Sequence, residues 1–195
     1  MIGILDTEAG NLASVRAALD RLGLAHRTLG DAQTDGLDAI LVPGQGRFGA
    51  VMASLDARGW RDELLAWARD GKPLVGICVG QQILFEGSDE DPDARGLALL
   101  PGRAERLAFP KAPMVGWAPV AWRDAGLPDG DAYFVNSFAV RPSDALRASG
   151  AILAETAYGE RFASAVRSGS VTAVQFHPEK SGAWGQRVLA HLLAP

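Results

Sequence analysis

The stretch Pro73-Leu74-Val75-Gly76-Ile77-Cys78-Val79-Gly80-Gln81-Gln82 decides how the rest of the chain is read. Leu74, Val75 and Ile77 form a short apolar run behind Pro73, as a buried strand does, and residues 79–86 then read as a helix. Cys78, the single cysteine, stands at the junction with Gly76 and Gly80 on either side. A nucleophile on such a strand-to-helix turn is held in a strained conformation that exposes its side chain, and flanking glycines let the backbone turn that sharply. The helix N-terminus favours a thiolate there, and the N–H of Val79 would face a developing oxyanion. Free cysteines are also often small buried hydrophobes. Glycine-flanked ones occur in inert α/β cores as well, so this segment alone leaves both readings open.

Outward from it, the chain opens with a strand over Ile2 to Asp6 and a turn through Glu8-Ala9-Gly10-Asn11, with Asn11 as N-cap of the next helix. Leu12, Val15, Ala18, Leu19 and Leu22 recur at helical spacing, and Gly23 stops that helix. Strands follow around His26 to Leu29 and at Ala39 to Val42, the latter closed by Pro43. Two further helices carry Val51, Met52 and Leu55, then Trp60 to Gly71. Strands alternating with helices predict an α/β fold with a doubly wound, mostly parallel central sheet. From Ala98 onward the apolar pieces are short: 97–100, 114–122, 133–138, 151–156, 162–166 and 171–176. They read as antiparallel or mixed strands extending the sheet, before a last helix over Trp184 to Leu193. No linker interrupts the pattern, so residues 1–195 are expected to form one domain.

Of the 195 residues 48% are apolar and 22% charged, with a formal net charge of −4, ordinary values for a soluble globular protein. Mild acidity without a basic stripe argues against nucleic acid as a partner. One cysteine excludes an internal disulfide and fits a reducing compartment. The start lacks a charged leader and no window approaches a membrane span, so a cytoplasmic protein that meets no membrane is expected.

Gly44-Gln45-Gly46-Arg47-Phe48-Gly49 is formally a G-x-G-x-x-G. A dinucleotide loop normally follows the first strand, with an acidic residue about twenty positions on at a strand end; here Arg69-Asp70 lie inside a predicted helix. A backbone-rich turn beside the nucleophile, offering N–H groups to an oxyanion, fits better, and a plain glycine-rich connection stays open. The acidic run Glu86 to Asp93 reads as a solvated loop, from which one carboxylate near the nucleophile could bind an ammonium group. A cysteine nucleophile needs a base. His26 opens a strand and His191 sits among leucines, whereas His177 directly follows the strand 171–176, is fixed by Pro178, and has Glu179 two residues on. In extended backbone His177 and Glu179 share a side, so the carboxylate can hold one imidazole nitrogen and leave the other for sulfur.

Gly76-Ile77-Cys78-Val79-Gly80-Gln81-Gln82 together with Gln175-Phe176-His177-Pro178-Glu179 resembles the motifs of class I glutamine amidotransferases, the triad glutaminases. Further stretches are similar to the glutaminase subunits of imidazole glycerol phosphate synthase: Gly10-Asn11-Leu12-Ala13-Ser14-Val15, Pro178-Glu179-Lys180-Ser181-Gly182, Pro43-Gly44 with Gly46, Phe48-Gly49 and Met52, Gly116-Trp117, and Tyr158-Gly159 with Phe162 and Ala165-Val166. The likeness runs almost end to end. It implies hydrolysis of L-glutamine to glutamate and ammonia. The ammonia would pass through a tunnel to a TIM-barrel cyclase subunit, the partner in a heterodimer, which makes imidazole glycerol phosphate and an aminoimidazole carboxamide ribotide for histidine biosynthesis. It implies Cys78, His177 and Glu179 as the triad and Val79, Gln45 and Gly46 as oxyanion donors. Gly44, Gln82, Glu90, Ser137 and Phe138 would surround the glutamine, and Asn11, Trp117 and Lys180 would meet the partner, with no cofactor and no metal.

The sequence departs from that family at Thr7-Glu8, where Tyr-Gly is usual, and at Gln45, where valine is common. Met114 and Ala118 stand for histidine and asparagine, and Asn136 and Phe138 for histidine and tyrosine. These positions bear on how the partner is sensed rather than on the triad. Two rival readings are the glutaminase of another synthase (anthranilate, guanylate or pyridoxal phosphate type) and a non-catalytic binding subunit. Gly10-Asn11-Leu12 and Pro178 to Gly182 count against the first, the intact triad against the second.

Overall fold

The computed structural model describes residues 1–7, 12–108, 111–123 and 126–194. The first half runs β1 (Ile2–Leu5), α1 (Leu12–Arg21), β2 (His26–Leu29), β3 (Ala39–Val42), α2 (Phe48–Ala57), α3 (Trp60–Arg69), β4 (Leu74–Ile77) and α4 (Val79–Gln82). The second half adds β5 (Gly87–Ser88), β6 (Asp91–Arg95), β7 (Arg103–Arg106), β8 (Met114–Trp122), β9 (Gly130–Asn136), β10 (Phe138–Val140) and α5 (Asp144–Ala148). It closes with β11 (Ile152–Tyr158), β12 (Glu160–Ser168), β13 (Val171–Val174), a 3-10 turn (Pro178–Lys180) and α6 (Gly182–Leu192).

Strands β1, β3, β4 and β13 are buried along their whole length, as parallel strands covered on both faces must be. With β2 they form the parallel half of a nine-stranded sheet ordered β2-β1-β3-β4-β13-β12-β11-β8-β9, whose remaining pairs are antiparallel. The step from β1 to β2 runs in one direction along the sheet and that from β3 to β4 in the other. Right-handed crossovers therefore set α1 and the α2–α3 pair on opposite faces. The helices seat on it through Val15, Ala18 and Leu19 of α1, Trp60, Leu64 and Trp67 of α3, and Val188, Leu189 and Leu192 of α6, all buried.

Several expectations need correction. Only Val79–Gln82 of the helix foreseen over residues 79–86 forms: Leu84 and Phe85 bond three residues back to Gln81 and Gln82, the N–H of Glu86 goes to the carbonyl of Gly102, and the N–H groups of Leu97, Ala98, Leu99 and Leu100 take the carbonyls of Ile83, Phe85 and Leu84. For the same reason 97–100 is a loop and not a strand. The acidic run is no free loop: β5 and β6 make a hairpin that joins β7 and β10 in a separate four-stranded sheet, so not every later strand extends the main one. The piece 133–138 splits into β9 and β10 at Ser137 and so feeds both sheets. Arg141, just past β10, ties them together by bonding Glu160 on β12 (2.9 Å) and Glu105 on β7.

Candidate active site

Cys78 leaves β4 at φ 56° and ψ −110°, the strained turn foreseen for a nucleophile. The glycines around it are required by contact. A Cβ on Gly76 would lie 2.4 Å from the carbonyl oxygen of Gly80, and one on Gly80 would lie 2.1 Å from that of Val42. Gly44 meets the same turn from the end of β3, where a Cβ would stand 2.3 Å from the amide nitrogen of Gly80 and 2.4 Å from that of Val79. Gly46 beside it is left-handed, φ 104°.

β4 and β13 are parallel neighbours with Ile77 opposite Val174, and the N–H of Cys78 donates to the carbonyl of Val174 (2.8 Å). Cys78 and His177 thus emerge together at the carboxyl end of the strands, where open α/β sheets bind ligands. His177 is pinned through its backbone. Its N–H donates to Tyr133 on β9 (2.9 Å), its carbonyl accepts from the Ser181 hydroxyl (2.7 Å), and that hydroxyl accepts from the N–H of Tyr133 (3.0 Å). The expectation of extended backbone through Glu179 fails, since residues 178–180 form a 3-10 turn; the turn still brings Glu179 Oε1 to 2.8 Å from His177 Nδ1. Both side chains are 3% exposed. Burial by itself would strip the proton from His177, but hydrogen bonds to Cys78 and Glu179 and the charges of both outweigh it and raise its pKa from 6.5 to about 10. With Nδ1 committed to Glu179, Nε2 is left for the sulfur.

Two cavities meet at Cys78. One, of about 230 Å³, is lined by Gly46, Val79, Gln82, Glu90, Ser137 and Phe138. The other, of about 320 Å³, is lined by Gly44, Gln45, Gly46, Val79, His177 and Lys180. Every residue expected around glutamine or the oxyanion thus lines one of them. Glu90 is held in place, its Oε2 accepting from the N–H of Phe48 at the start of α2 (2.9 Å). Trp117 lies apart, 56% exposed on β8. Asn11 and Glu8 lie outside the described residues. His26 pairs with Asp20 (3.0 Å), away from the cysteine. Among the described residues no group of three His, Cys, Asp or Glu side chains could hold a metal, and no helix is long and apolar enough to cross a membrane.

Sequence reasoning missed four contributors. Val135 touches both cavities, yet in sequence it is one more apolar strand residue. Asp91 accepts from the N–H of Gly49 (2.9 Å) and pairs with Arg47 (2.6 Å), which docks the β5–β6 hairpin on α2; the Gly49 bond above all holds its carboxyl below the usual carboxylate range, against some burial and with help from Arg47. Ser181 was quoted only within a motif. So was Gln175, fully buried, whose amide makes side-chain contacts with Gln82 and Cys78. A polar residue ending an otherwise apolar buried strand was the available signal for it.

The sequence model of class-I glutamine amidotransferases matches residues 25–193. The imidazole glycerol phosphate synthase subunit HisH of Deinococcus radiodurans is 42% identical over 98% of this chain and 94% of its own length. That of Methanothermobacter thermautotrophicus is 38% identical over 99% and 98%. The chloroplastic imidazole glycerol phosphate synthase hisHF of Arabidopsis thaliana is 37% identical over 100% of this chain but only 34% of its own length. Among solved structures, a glutamine amidotransferase superposes with a TM-score of 0.81 at 26% identity, covering 98% of this chain and 96% of that one.

Proposed function

As a member of the class-I glutamine amidotransferases, and within them of the glutaminase subunits of imidazole glycerol phosphate synthase, the chain serves histidine biosynthesis, and we propose that it does so through Cys78, His177 and Glu179. The observation that carries this is the row they form: Glu179 Oε1 2.8 Å from His177 Nδ1, and an imidazole whose raised pKa reflects its contact with Cys78. The proposed reaction starts from Cys78 as thiolate beside His177 as imidazolium. The thiolate attacks the side-chain amide carbon of L-glutamine, whose oxygen becomes an oxyanion received by the N–H of Val79 and one from the turn at Gln45 and Gly46. His177 gives its proton to the nitrogen as the C–N bond breaks, releasing ammonia and leaving a glutamyl thioester. The neutral imidazole then takes a proton from water. The hydroxide adds to the thioester, glutamate departs, and thiolate and imidazolium return.

The cavity of about 230 Å³ would hold the substrate, with Gln82, Glu90, Ser137 and Phe138 around it. The cavity beyond the sulfur, which reaches Lys180, lies where ammonia could leave. The partner would be a TIM-barrel cyclase subunit. Val115, Trp117 and Val135 stand exposed on one face of the β8–β9 pair, with Val115 opposite Val135 in register. Because Val135 also lines both cavities, a partner seated there would touch the site. The Arabidopsis relative, with two thirds of its length beyond this chain, is in keeping with such a partner joined in one polypeptide.

A glutamine-analogue alkylator tests the site directly. One equivalent should attach to Cys78, as read by the mass of its peptide, L-glutamine should protect against it, and His177→Ala should slow it. Labelling that glutamine fails to suppress would refute the assignment of the cavity.

A further inference from the structure

The sulfur of Cys78 has a neighbour outside the triad. Gln175 Nε2 lies 3.6 Å from Sγ, while Gln175 Oε1 accepts from Gln82 Nε2 (3.0 Å), which also donates to the backbone carbonyl of Phe138 (3.0 Å). Both glutamine side chains are buried, Gln175 completely. We propose, taking Cys78 as the glutaminase nucleophile, that Gln175 is a thiolate-binding residue whose amide N–H stabilises the charged sulfur, and that the carbonyl of Phe138 sets its orientation through Gln82.

The orientation follows from what each group can do. A backbone carbonyl only accepts, so the end of the Gln82 amide that faces Phe138 is its NH₂. The second hydrogen of that NH₂ meets Gln175, which must answer with oxygen. Its own NH₂ is thereby turned toward sulfur. Asn136 Nδ2 donates to the same carbonyl (3.1 Å), holding the anchor itself in place. An amide N–H suits the task because it stabilises negative charge without carrying a charge that would have to be buried. The carbonyl oxygen of Val135, 3.9 Å from the sulfur, could accept from a thiol but offers a thiolate nothing. A residue at the end of β13 thus addresses the sulfur from within the core, on the same strand end that carries His177.

The charged groups around the sulfur are His177, backed by Glu179, with Glu90 in one cavity and Lys180 in the other. None of them is altered by Gln175→Met, which preserves length and apolar packing while deleting the donor. The test is the pH dependence of the alkylation rate of Cys78 by iodoacetamide, which requires no glutamine turnover, so that its failure is separate from failure of the glutaminase reading. The proposal expects the acid limb of that profile to move up by about one pH unit in Gln175→Met, with the rate below the limb falling roughly tenfold. Gln82→Met, which keeps Gln175 but frees its orientation, should shift the limb in the same direction by less, and it provides the readout if Gln175→Met does not fold. Acid limbs that coincide with the native one, accompanied only by a lowered melting temperature, would assign Gln175 to packing alone and overturn the proposal.

Discussion

Between Glu179 and Cys78 the imidazole of His177 keeps its proton far above the usual histidine range, to about pH 10, although burial works against it. The consequence for stability has a definite sign. A folded-state pKa raised above 6.5 contributes stability that is fully present below 6.5 and is lost as the pH rises through about 10. Glu179→Gln removes one of the two charges and weakens the bond to Nδ1. The ring titration of His177, followed by NMR, should then move down from about 10, and the melting temperature should fall less steeply between pH 6.5 and 10 than in the native chain. Glutamine hydrolysis should drop by about 10²–10⁴, the usual worth of a positioned acid and base. An unmoved titration would mean that Glu179 does not govern the ring. At this scale the sequence was informative because the chemistry is local: a lone cysteine between glycines, and a histidine with a glutamate two residues on. What it lacked was Gln175 and Ser181, whose roles depend on which strands are neighbours.

Strand ends and turns meet here by glycine, and the elements can be tested as such. Gly80 sits where a Cβ would press on the backbone carbonyl of Val42 at 2.1 Å, and no side chain can move aside to relieve it. Gly80→Ala should therefore cost about 1–3 kcal/mol in urea unfolding. Gly30→Ala, with nothing within 4 Å of the added atom, should stay within about 0.5 kcal/mol of native. Equal effects would deny that β3, β4 and α4 are jammed together at the site. The inner parallel strands β1, β3, β4 and β13 were readable as elements because each is a mostly apolar run buried along its whole length. The second sheet was not, since Asp91-Pro92-Asp93-Ala94-Arg95 and Arg103-Ala104-Glu105-Arg106 show neither an apolar run nor a clean alternation. Only pairing with distant partners makes strands of them. The same distance effect shortens α4: the N–H of Glu86 turns to Gly102, and residues 97–100 claim the carbonyls just beyond the helix.

Over the whole molecule, the triad end of the sheet and the exposed face of the β8–β9 pair adjoin, with Val135 belonging to both. A partner docked on that face, as proposed, would therefore couple its binding to catalysis. Trp117, 56% exposed and edge-on to Tyr133 with ring centroids 6.0 Å apart, is the large apolar anchor such a surface needs. Trp117→Ala should weaken binding of the cyclase subunit by about 2 kcal/mol or more, as interface anchors do, with the melting temperature of the isolated chain nearly unchanged. Binding at native affinity would place the interface elsewhere. The family could be read from motifs spread along the chain, whereas this adjacency needed the fold, because β8 and β9 lie far from Cys78 in sequence and several strands away in sheet order, and β9 meets the site through the bond from the His177 N–H to Tyr133. The most direct measurement is glutamate release from L-glutamine by this chain alone and mixed with a cyclase subunit and its ribonucleotide ligand, with Cys78→Ser in parallel. Release that rises on assembly and vanishes in Cys78→Ser is the predicted result. No release under any condition, or release that survives the substitution, would contradict a Cys78-driven glutaminase working for a partner.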